Sequence, residues 1–311
     1  MDGASAAARP ITGRIFISGG TGFVGTNLQA ALAGRPLRLL VRDRTQAPPT
    51  DSGDVEVVEG NVTRPDTLRD ALDGCEAVIN LAAIIEEKGE ATFDAVIRQG
   101  TVNLVEAAKR AGVKRFVLMS ALGARHDPAF PYFEAKWQAE QAVMASGIPW
   151  TIFRPSVIFG PGDGFINTLA NLVRKAPIIP VVGSGQTKFQ PVSVADVAAS
   201  FVKAIDDPAT VGKTFELGGP DILTYEQLLD VIAAKLGKQR RKVRVPVGLM
   251  FPFVKLAKSL PKALRPPVTE EQLKMLAIDN CTDHSATPEL IGRTPTRLAD
   301  GIDYIRSGGG R

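Results

Sequence analysis

A glycine-rich turn near the start of the chain is the feature that most constrains its fold. The segment GGTGFVG follows an apolar strand at Arg14–Ser18 and precedes a helical pattern that extends to about residue 33. Gly19, Gly22 and Gly25 keep a GxxGxxG spacing, which allows a tight turn, close approach of the backbone to a pyrophosphate and close packing of helix on strand. Phosphates then meet the free N–H groups at the positive end of the helix. This context predicts a dinucleotide-binding turn.

Short apolar segments alternate with helical patterns through the first half of the chain. They lack the polar alternation of half-exposed strands, which is typical of a parallel sheet covered on both faces. The sequence therefore predicts an α/β fold: a doubly wound parallel (Rossmann) sheet with a small C-terminal substrate lobe. Further predicted strands are 37–42, 54–58, 76–82, 114–120, 150–154, 189–192 and 214–217, and further predicted helices are 65–72, 92–111, 132–146, 165–175, 194–205 and 225–236.

The strand and helix rhythm loosens in the second half, where Pro and Gly cluster. We predict that residues 13–160 form the dinucleotide-binding domain and that 161–305 form the smaller lobe, with about 178–218 returning to the sheet. Residues 1–12 are predicted to be a flexible N-terminal tail and 306–311 a disordered C-terminal tail.

Composition narrows the class of protein. Hydrophobic residues make up 44% and charged residues 23% of the 311, as in an ordinary folded protein. No uncharged apolar run reaches the roughly 18 residues of a membrane span, and the first residues lack the apolar core of a secretory signal. Two cysteines and two histidines, in no metal-ligand spacing, argue against a zinc or haem site. We therefore expect a cytoplasmic protein without a metal.

Positive charge is concentrated in one segment. Residues 235–265 contain ten Lys or Arg and no Asp or Glu, although the net charge of the chain is only +4. This favours a local contact surface over nucleic-acid binding. The segment also carries apolar residues such as Phe251 and Phe253, so it could lie on the inner face of an anionic membrane or contact a respiratory complex. The alternative is a solvated basic helix that covers the core with its apolar face.

The end of the second strand distinguishes the two nicotinamide dinucleotides. An acidic side chain there binds the ribose 2′-hydroxyl of NAD, whereas an arginine accommodates the 2′-phosphate of NADP. Arg42 lies at this position, with Arg44 close by. We therefore expect NADP(H), although Asp43 leaves NAD(H) open.

Three residues suggest proton transfer at an alcohol or carbonyl. Tyr132 and Lys136 are four residues apart, and so share one face of a predicted helix. A nearby ammonium stabilises a phenolate and is expected to lower the pKa of the phenol, which makes it useful as an acid or base. Ser120 ends the fifth strand, at the sheet edge where ligands bind in this fold. These three residues are the candidate catalytic set.

Together with RPSVIFGPGD at 154–163, these motifs resemble the short-chain dehydrogenase/reductase superfamily, of extended or atypical type. The run 146–198 resembles one branch in particular, which contains the dehydrogenase-like accessory subunit of respiratory complex I and bacterial relatives often labelled NAD-dependent epimerase/dehydratase. The resemblance extends over about 14–305.

The resemblance implies further roles for residues around a bound dinucleotide. Arg42 would meet the 2′-phosphate, Lys136 would bind the nicotinamide ribose, and Pro155 would begin the loop that covers the nicotinamide. Asn61 stands where the family usually has Asp, and its side-chain carbonyl can still accept a bond from the adenine amino group. The remaining contacts would come from Thr21, Gly22, Phe23 and Val24 at the pyrophosphate, Val62 at the adenine, and Ala82 and Ala83 beside the ribose and nicotinamide.

The second lobe carries weaker signals. Asp196 in VSVAD is predicted to be the N-cap of the following helix. Apolar residues are expected to wall the substrate pocket, which favours an apolar substrate, although the same residues could belong to the core. They are Phe159, Phe165, Ile166, Leu169 and Leu172.

Three functions remain open from the sequence. The first is an NADP(H)-dependent oxidoreductase that acts on an apolar carbonyl or alcohol, or on a quinone-related substrate. The second is a non-catalytic NADPH-binding accessory subunit of respiratory complex I or of quinone (ubiquinone) metabolism. The third is an NAD-dependent sugar-nucleotide epimerase or dehydratase, against which Arg42 counts.

Overall fold

The central sheet contains seven parallel strands. The computed structural model describes residues 9–47, 54–246 and 277–307. In the sheet the strand order is β11-β6-β5-β4-β1-β2-β3. The order reverses between β1 and β4, which creates the crevice where doubly wound sheets bind dinucleotides. The predicted Rossmann sheet is confirmed. Its strands are β1 Arg14–Ser18, β2 Leu37–Val41, β3 Val55–Glu59, β4 Cys75–Asn80, β5 Arg115–Met119, β6 Trp150–Pro155 and β11 Lys213–Leu217.

Three further strand pairs lie outside the central sheet. They join β7 to β10, β9 to β12, and β8 to β13. The predicted strand at 189–192 is two short strands, because Gln190 and Pro191 interrupt it. The bounds are β7 Ile158–Phe159, β8 Ile178–Val182, β9 Lys188–Phe189, β10 Val192–Ser193, β12 Leu223–Thr224 and β13 Arg241–Val245.

Eight α-helices are present among the described residues. None of them is long and apolar enough to cross a membrane. The predicted helix at 65–72 is a 3₁₀ turn at Pro65–Leu68. The α-helices are α1 Phe23–Ala31, α2 Gly100–Arg110, α3 Pro131–Met144, α4 Phe165–Lys175, α5 Val194–Asp206, α6 Tyr225–Lys235, α7 Thr287–Ile291 and α8 Leu298–Gly301.

The helix predicted at 92–111 is continuous but not uniform. Its first part, Asp94–Gln99, is a π-helix, and α2 follows directly from it. A Cβ on Gly100, at the junction, would lie 2.8 Å from Cγ2 of Val62, so the helix packs closely on the loop after β3. The sequence predicted an α-helix here because the spacing of apolar residues over so short a segment does not distinguish a π-helix from an α-helix.

The described chain divides into two compact units. The described residues of unit 1 fall within 1–155, 195–217 and 286–293, and those of unit 2 within 156–194, 218–285 and 294–311. The chain thus leaves unit 1 after Pro155, five residues before the predicted boundary. The segment that returns to the sheet begins at 195 instead of 178, and it supplies α5 and β11.

Unit 2 has a hydrophobic core of its own. Phe159, Ile166 and Leu169 are buried in it, and Phe165 and Leu172 pack against it. The structure therefore corrects the prediction that these five residues wall a substrate pocket. The apolar face of α4 packs against α6, and a helix that packs on the core has the same apolar sequence pattern as one that walls a pocket.

Asp196 does not cap α5 as predicted, because the helix begins two residues earlier, at Val194. Asp196 lies in the first turn, fully buried, and its Oδ1 accepts a hydrogen bond from Nη2 of Arg293 at 2.5 Å.

The described part of the basic segment is not an amphipathic helix. It forms the end of α6 and then β13, which pairs with β8. Lys235 is 2.8 Å from Asp303, Lys242 is 2.7 Å from Asp230, and Arg244 is 2.9 Å from Glu226. Three of the six described basic residues of the segment are thus ion-paired within unit 2. Residues 247–265, with Phe251 and Phe253, lie outside the described residues, and the membrane or partner contact stays a prediction.

Candidate functional site

The glycine turn packs against both its own helix and the segment after β4. A Cβ on Gly25 would lie 2.4 Å from the carbonyl oxygens of Gly19 and Gly20. A Cβ on Gly19, whose φ is +73°, would lie 2.9 Å from the carbonyl carbon of Leu81. No side chain fits at either position, so the backbone itself lines the crevice.

The N-terminus of α1 is open to an anion. Its N-cap is Gly22, which supplies no side-chain cap, and the first turn contains no acidic residue. The first N–H groups of a helix have no acceptor within the helix and carry its positive end. Thr21 is exposed beside them, Phe23 is half-buried and Val24 is buried. The predicted pyrophosphate residues are therefore those that surround this helix end.

Arg42 and Asp43 follow β2 at the same edge of the sheet. Arg42 is exposed. Asp43 caps a short 3₁₀ turn, where its Oδ1 accepts bonds from the backbone N–H of Thr45 at 2.8 Å and from its hydroxyl at 2.7 Å. These bonds lower the pKa of Asp43.

The predicted adenine residues lie after β3. Oδ1 of Asn61 accepts a bond from the N–H of Thr63 at 3.1 Å, so this oxygen has one lone pair left for an adenine amino group. The side chain of Val62 is buried in the core, which leaves only its backbone for a ligand. The carbonyl of Val62 accepts a bond from Nδ2 of Asn103 at 2.8 Å. Sequence reasoning missed Asn103, which lies 41 residues away on α2.

Asn80, at the end of β4, was also missed. It is buried, and its Oδ1 accepts bonds from the hydroxyl of Ser18 at 2.7 Å and from the N–H of Ala82 at 3.1 Å. Its Nδ2 donates to the hydroxyl of Thr101 at 3.0 Å. Asn80 thus fixes the backbone that leads to Ala82 and Ala83, the predicted nicotinamide side of the site.

Ser120 follows β5 and has an unusual environment. The residue is only 2% exposed, and its Oγ has no hydrogen-bond partner among the described residues. Its N–H donates to the carbonyl of Phe153 at 2.7 Å, which holds it beside β6. A buried hydroxyl without a partner costs free energy, and a hydrogen bond to a ligand at this atom would remove that cost.

Lys136 brings α3 to the end of β5. Its Nζ donates to the carbonyl of Met119, the residue before Ser120, at 2.8 Å. Burial lowers the pKa of Lys136 to about 8, although the carboxylate of Glu140 opposes this shift. Near neutral pH the side chain is still mostly an ammonium.

Tyr132 lies one helical turn before Lys136. Its ring packs edge-on against Phe93 and Phe133, with centroid distances of 5.6 and 5.5 Å. Nζ of Lys136 lies over the ring, 5.9 Å from its centroid. Burial raises the pKa of Tyr132 to about 12. The expected lowering of this pKa is therefore wrong, because desolvation of the phenolate dominates.

The site residues thus gather at one edge of the sheet. The glycine turn follows β1, Asn80 ends β4 and Ser120 follows β5, and these three strands are neighbours in the sheet. Pro155 ends β6, and its carbonyl accepts a bond from the N–H of Leu122 at 2.9 Å. The glycine cradle, the open helix end and the unpartnered serine hydroxyl fit a dinucleotide and a substrate oxygen.

Comparison with known proteins agrees with this geometry. A family model described as NAD(P)H-binding matches residues 19–208. The mitochondrial NADH dehydrogenase [ubiquinone] 1 alpha subcomplex subunit 9 of Arabidopsis thaliana is 33% identical over 248 residues, which are 77% of this chain and 61% of that protein. A ceramide reductase of Caulobacter vibrioides is 33% identical over 236 residues, which are 75% and 74% of the two chains.

Among solved structures, a nucleoside-diphosphate-sugar epimerase from Staphylococcus aureus is similar in fold. Its TM-score is 0.73 at 19% sequence identity, and the match covers 94% of this chain and 99% of that one. The present chain spans about three-fifths of the plant subunit, 61% of its length. The chain therefore belongs to the NAD(P)H-binding family, with the Rossmann fold of extended short-chain dehydrogenases and epimerases, and is related to the complex I subunit and to bacterial reductases.

Proposed function

We propose that the protein is an NADP(H)-dependent oxidoreductase that interconverts an apolar carbonyl compound and its alcohol. The observation that carries the proposal is the buried, unpartnered hydroxyl of Ser120, at the sheet edge that α3 reaches through Lys136. A quinone-related substrate would also offer a carbonyl oxygen to the hydroxyl of Ser120. The 33% identity to a protein named ceramide reductase supports an apolar substrate.

Ser120, Tyr132 and Lys136 have different tasks in the proposed reaction. A bound nicotinamide supplies or accepts the hydride. The hydroxyl of Ser120 donates a hydrogen bond to the substrate oxygen. Tyr132 gives its proton to that oxygen during reduction, and its raised pKa keeps the phenol protonated at neutral pH. Lys136, charged below its pKa of about 8, orients the ribose and stabilises the phenolate left behind.

The test is oxidation of NADPH by the purified protein in the presence of quinones, aldehydes and ketones. We expect Tyr132→Phe to lower turnover by at least about 100-fold, because a general acid contributes that much. The affinity for NADPH should stay unchanged. Tyr225→Phe is the control: this tyrosine is buried whereas Tyr132 is half-buried, it lies in unit 2, and loss of its hydroxyl should leave turnover unchanged. Equal turnover in Tyr132→Phe and wild type would refute the assignment.

A second candidate is a non-catalytic NADPH-binding accessory subunit, which the identity to the plant complex I subunit favours. It predicts tight NADPH binding, no oxidation by any of these carbonyl compounds, and recovery of a membrane-bound respiratory partner with the protein. Oxidation that depends on Tyr132 would exclude this candidate.

A further inference from the structure

The two-stranded parallel sheet of β8 and β13 in unit 2 has two different faces. Ile179 and Val181 of β8 are buried in the core of this unit. Successive side chains of a strand point to opposite faces, so Ile178 and Pro180 lie on the other face. Ile178 is 51% exposed. Among the residues that the structure describes, no third strand joins this sheet.

The register of the two strands places residues of β13 on the same face. Arg241 pairs with Ile178, and Val243 pairs with Pro180. Paired residues of parallel strands share a face, so these four residues form what we call the outer face of the sheet. Val243 is also 51% exposed. Two of the four large hydrophobic side chains that are exposed in the described chain thus lie together on the outer face.

Positive charge lies beside the outer face. Arg240, the residue before β13, donates from Nε to the carbonyl of Val173 at 2.9 Å and from Nη2 to the carbonyl of Arg174 at 3.2 Å. The end of α4 therefore lies next to the start of β13, and the exposed Lys175 ends that helix. We call Arg174, Lys175 and Arg240 the basic rim.

No carboxylate neutralises this charge within the described residues. Neither 165–195 nor 231–246 contains Asp or Glu. The acids of α6 that approach β13 are Glu226 and Asp230, and these pair with Arg244 and Lys242. The basic rim and Arg241 make no ion pair in the described part of the chain, so their charge is available to a partner.

Capping of α4 explains only part of this arrangement. Basic side chains near the end of a helix commonly bond its last carbonyl groups, as Arg240 does. Capping does not explain why Ile178 and Val243 remain exposed beside these charges. Neighbouring apolar side chains bordered by charged groups are typical of a contact surface.

We propose that the outer face and the basic rim lie on an anionic phospholipid surface. The headgroups offer negative charge to the basic rim and Arg241, and the layer below them offers an apolar environment to Ile178 and Val243. The contact is peripheral and involves neither dinucleotide nor substrate, so it does not depend on the proposed function.

Sedimentation of the full-length protein with vesicles tests this contact. One set of vesicles contains phosphatidylglycerol and phosphatidylcholine in equal parts, and the other contains phosphatidylcholine alone. We expect binding to the first set only. Binding should weaken as salt is raised to about 1 M, where charges are screened beyond roughly 3 Å.

Two variants of the outer face separate its apolar and charged contributions. Ile178→Ser with Val243→Ser should weaken binding to the anionic vesicles by about tenfold, because two apolar side chains no longer leave water. Arg241→Glu should weaken it by about fivefold or more, since one basic side chain near an anionic surface contributes about that factor.

Ile222→Ser and Arg110→Glu are the matched controls. Ile222 is 47% exposed and also belongs to unit 2, but it lies outside the outer face. Arg110 is exposed at the end of α2 in unit 1. Both controls should bind the anionic vesicles as the wild type does. Circular dichroism checks that every variant is folded.

The inference would be overturned if the wild type bound neither set of vesicles, or bound both sets equally. Wild-type binding by both outer-face variants would overturn it as well. So would a dimer that Ile178→Ser with Val243→Ser dissociates, without vesicle binding, because the outer face would then contact a second copy of the chain. A protein that binds anionic vesicles as expected and fails to oxidise NADPH would refute the proposed function alone.

Discussion

Arg42 and Asp43 are neighbours after β2, and Asp43 is the one whose side chain stabilises the local turn. Asp43 uses Oδ1 to hold the turn at Thr45, whereas Arg42 is exposed. An anion that approaches this edge therefore meets a guanidinium next to a carboxylate already engaged with its own backbone. This arrangement supports the choice of NADP(H) over NAD(H).

Arg42→Ala should weaken NADPH binding by about tenfold or more, because a hydrogen bond to a charged group contributes about 1.5–3 kcal/mol. NADH affinity should change little. Titration of both dinucleotides by calorimetry measures the difference. Arg110→Ala removes the same charge from the exposed end of α2 and serves as the control. Equal weakening of NADPH and NADH in Arg42→Ala would contradict the predicted phosphate contact.

At the scale of the elements, Asn80 joins β1, β4 and α2 beneath the crevice. One amide side chain satisfies the hydroxyls of Ser18 and Thr101 and the N–H of Ala82. Buried polar groups of this kind are costly once their shared partner is removed. The network therefore both stabilises the fold and fixes the backbone that leads to Ala82 and Ala83, the predicted nicotinamide side of the site.

Asn80→Leu should lower the free energy of unfolding by about 1–3 kcal/mol, because it leaves several buried polar groups without partners. Urea denaturation followed by circular dichroism measures this loss. Thr101→Val, which removes one member of the same network, should cost less, about 1 kcal/mol. A variant Asn80→Leu as stable as the wild type would show that the network contributes nothing to stability.

The sequence predicted the strands of the central sheet more accurately than the elements around them. Runs such as that of β2 are buried along their whole length, so apolar composition alone identifies them. The π-helix before Gly100 escaped prediction because its residues follow the same apolar pattern as an α-helix. The strand predicted at 189–192 was too long because Gln190 and Pro191 interrupt it. Asp196 was placed at the cap because helix starts are uncertain by one or two residues.

The candidate site likewise contains residues that the sequence predicted and residues that it did not. The glycine turn and the pair Tyr132 and Lys136 were predictable because each is a local motif. Asn103 and the ion pair of Glu140 with Arg154 were not predictable, because the partners, Val62 and Arg154, lie on other elements. The second four-residue step on α3, from Lys136 to Glu140, was the one signal that the sequence offered for Glu140.

At the scale of the whole molecule, both units hold their tyrosines in the neutral form. The chain contains three tyrosines. Burial raises the pKa of Tyr132 in unit 1 and of Tyr225 in unit 2 to about 12. It also raises the pKa of Tyr304, whose hydroxyl donates to Oδ2 of Asp163.

A raised folded-state pKa means that the folded protein binds more protons than the unfolded chain above pH 10, the usual tyrosine pKa. The contribution to stability is complete below pH 10 and should be lost as the pH rises towards about 12. Ultraviolet absorbance of phenolate should therefore appear only with unfolding. The lowered pKa of Lys136 has the opposite effect, so that its contribution to stability rises as the pH increases from about 8 to 10.5. Phenolate formed near pH 10 in folded protein would contradict the prediction.

Unit 1 is assembled from three stretches of chain that are far apart in sequence. The edge strand β11 and helix α5 belong to the second stretch, and α7 lies in the third. During synthesis, β6 therefore leaves the ribosome some 60 residues before β11 arrives to pair with it. Until then its outer edge presents unpaired backbone groups, the kind of edge that invites aggregation. Nascent chains halted just after Pro155 should consequently depend on chaperones more than the finished protein does.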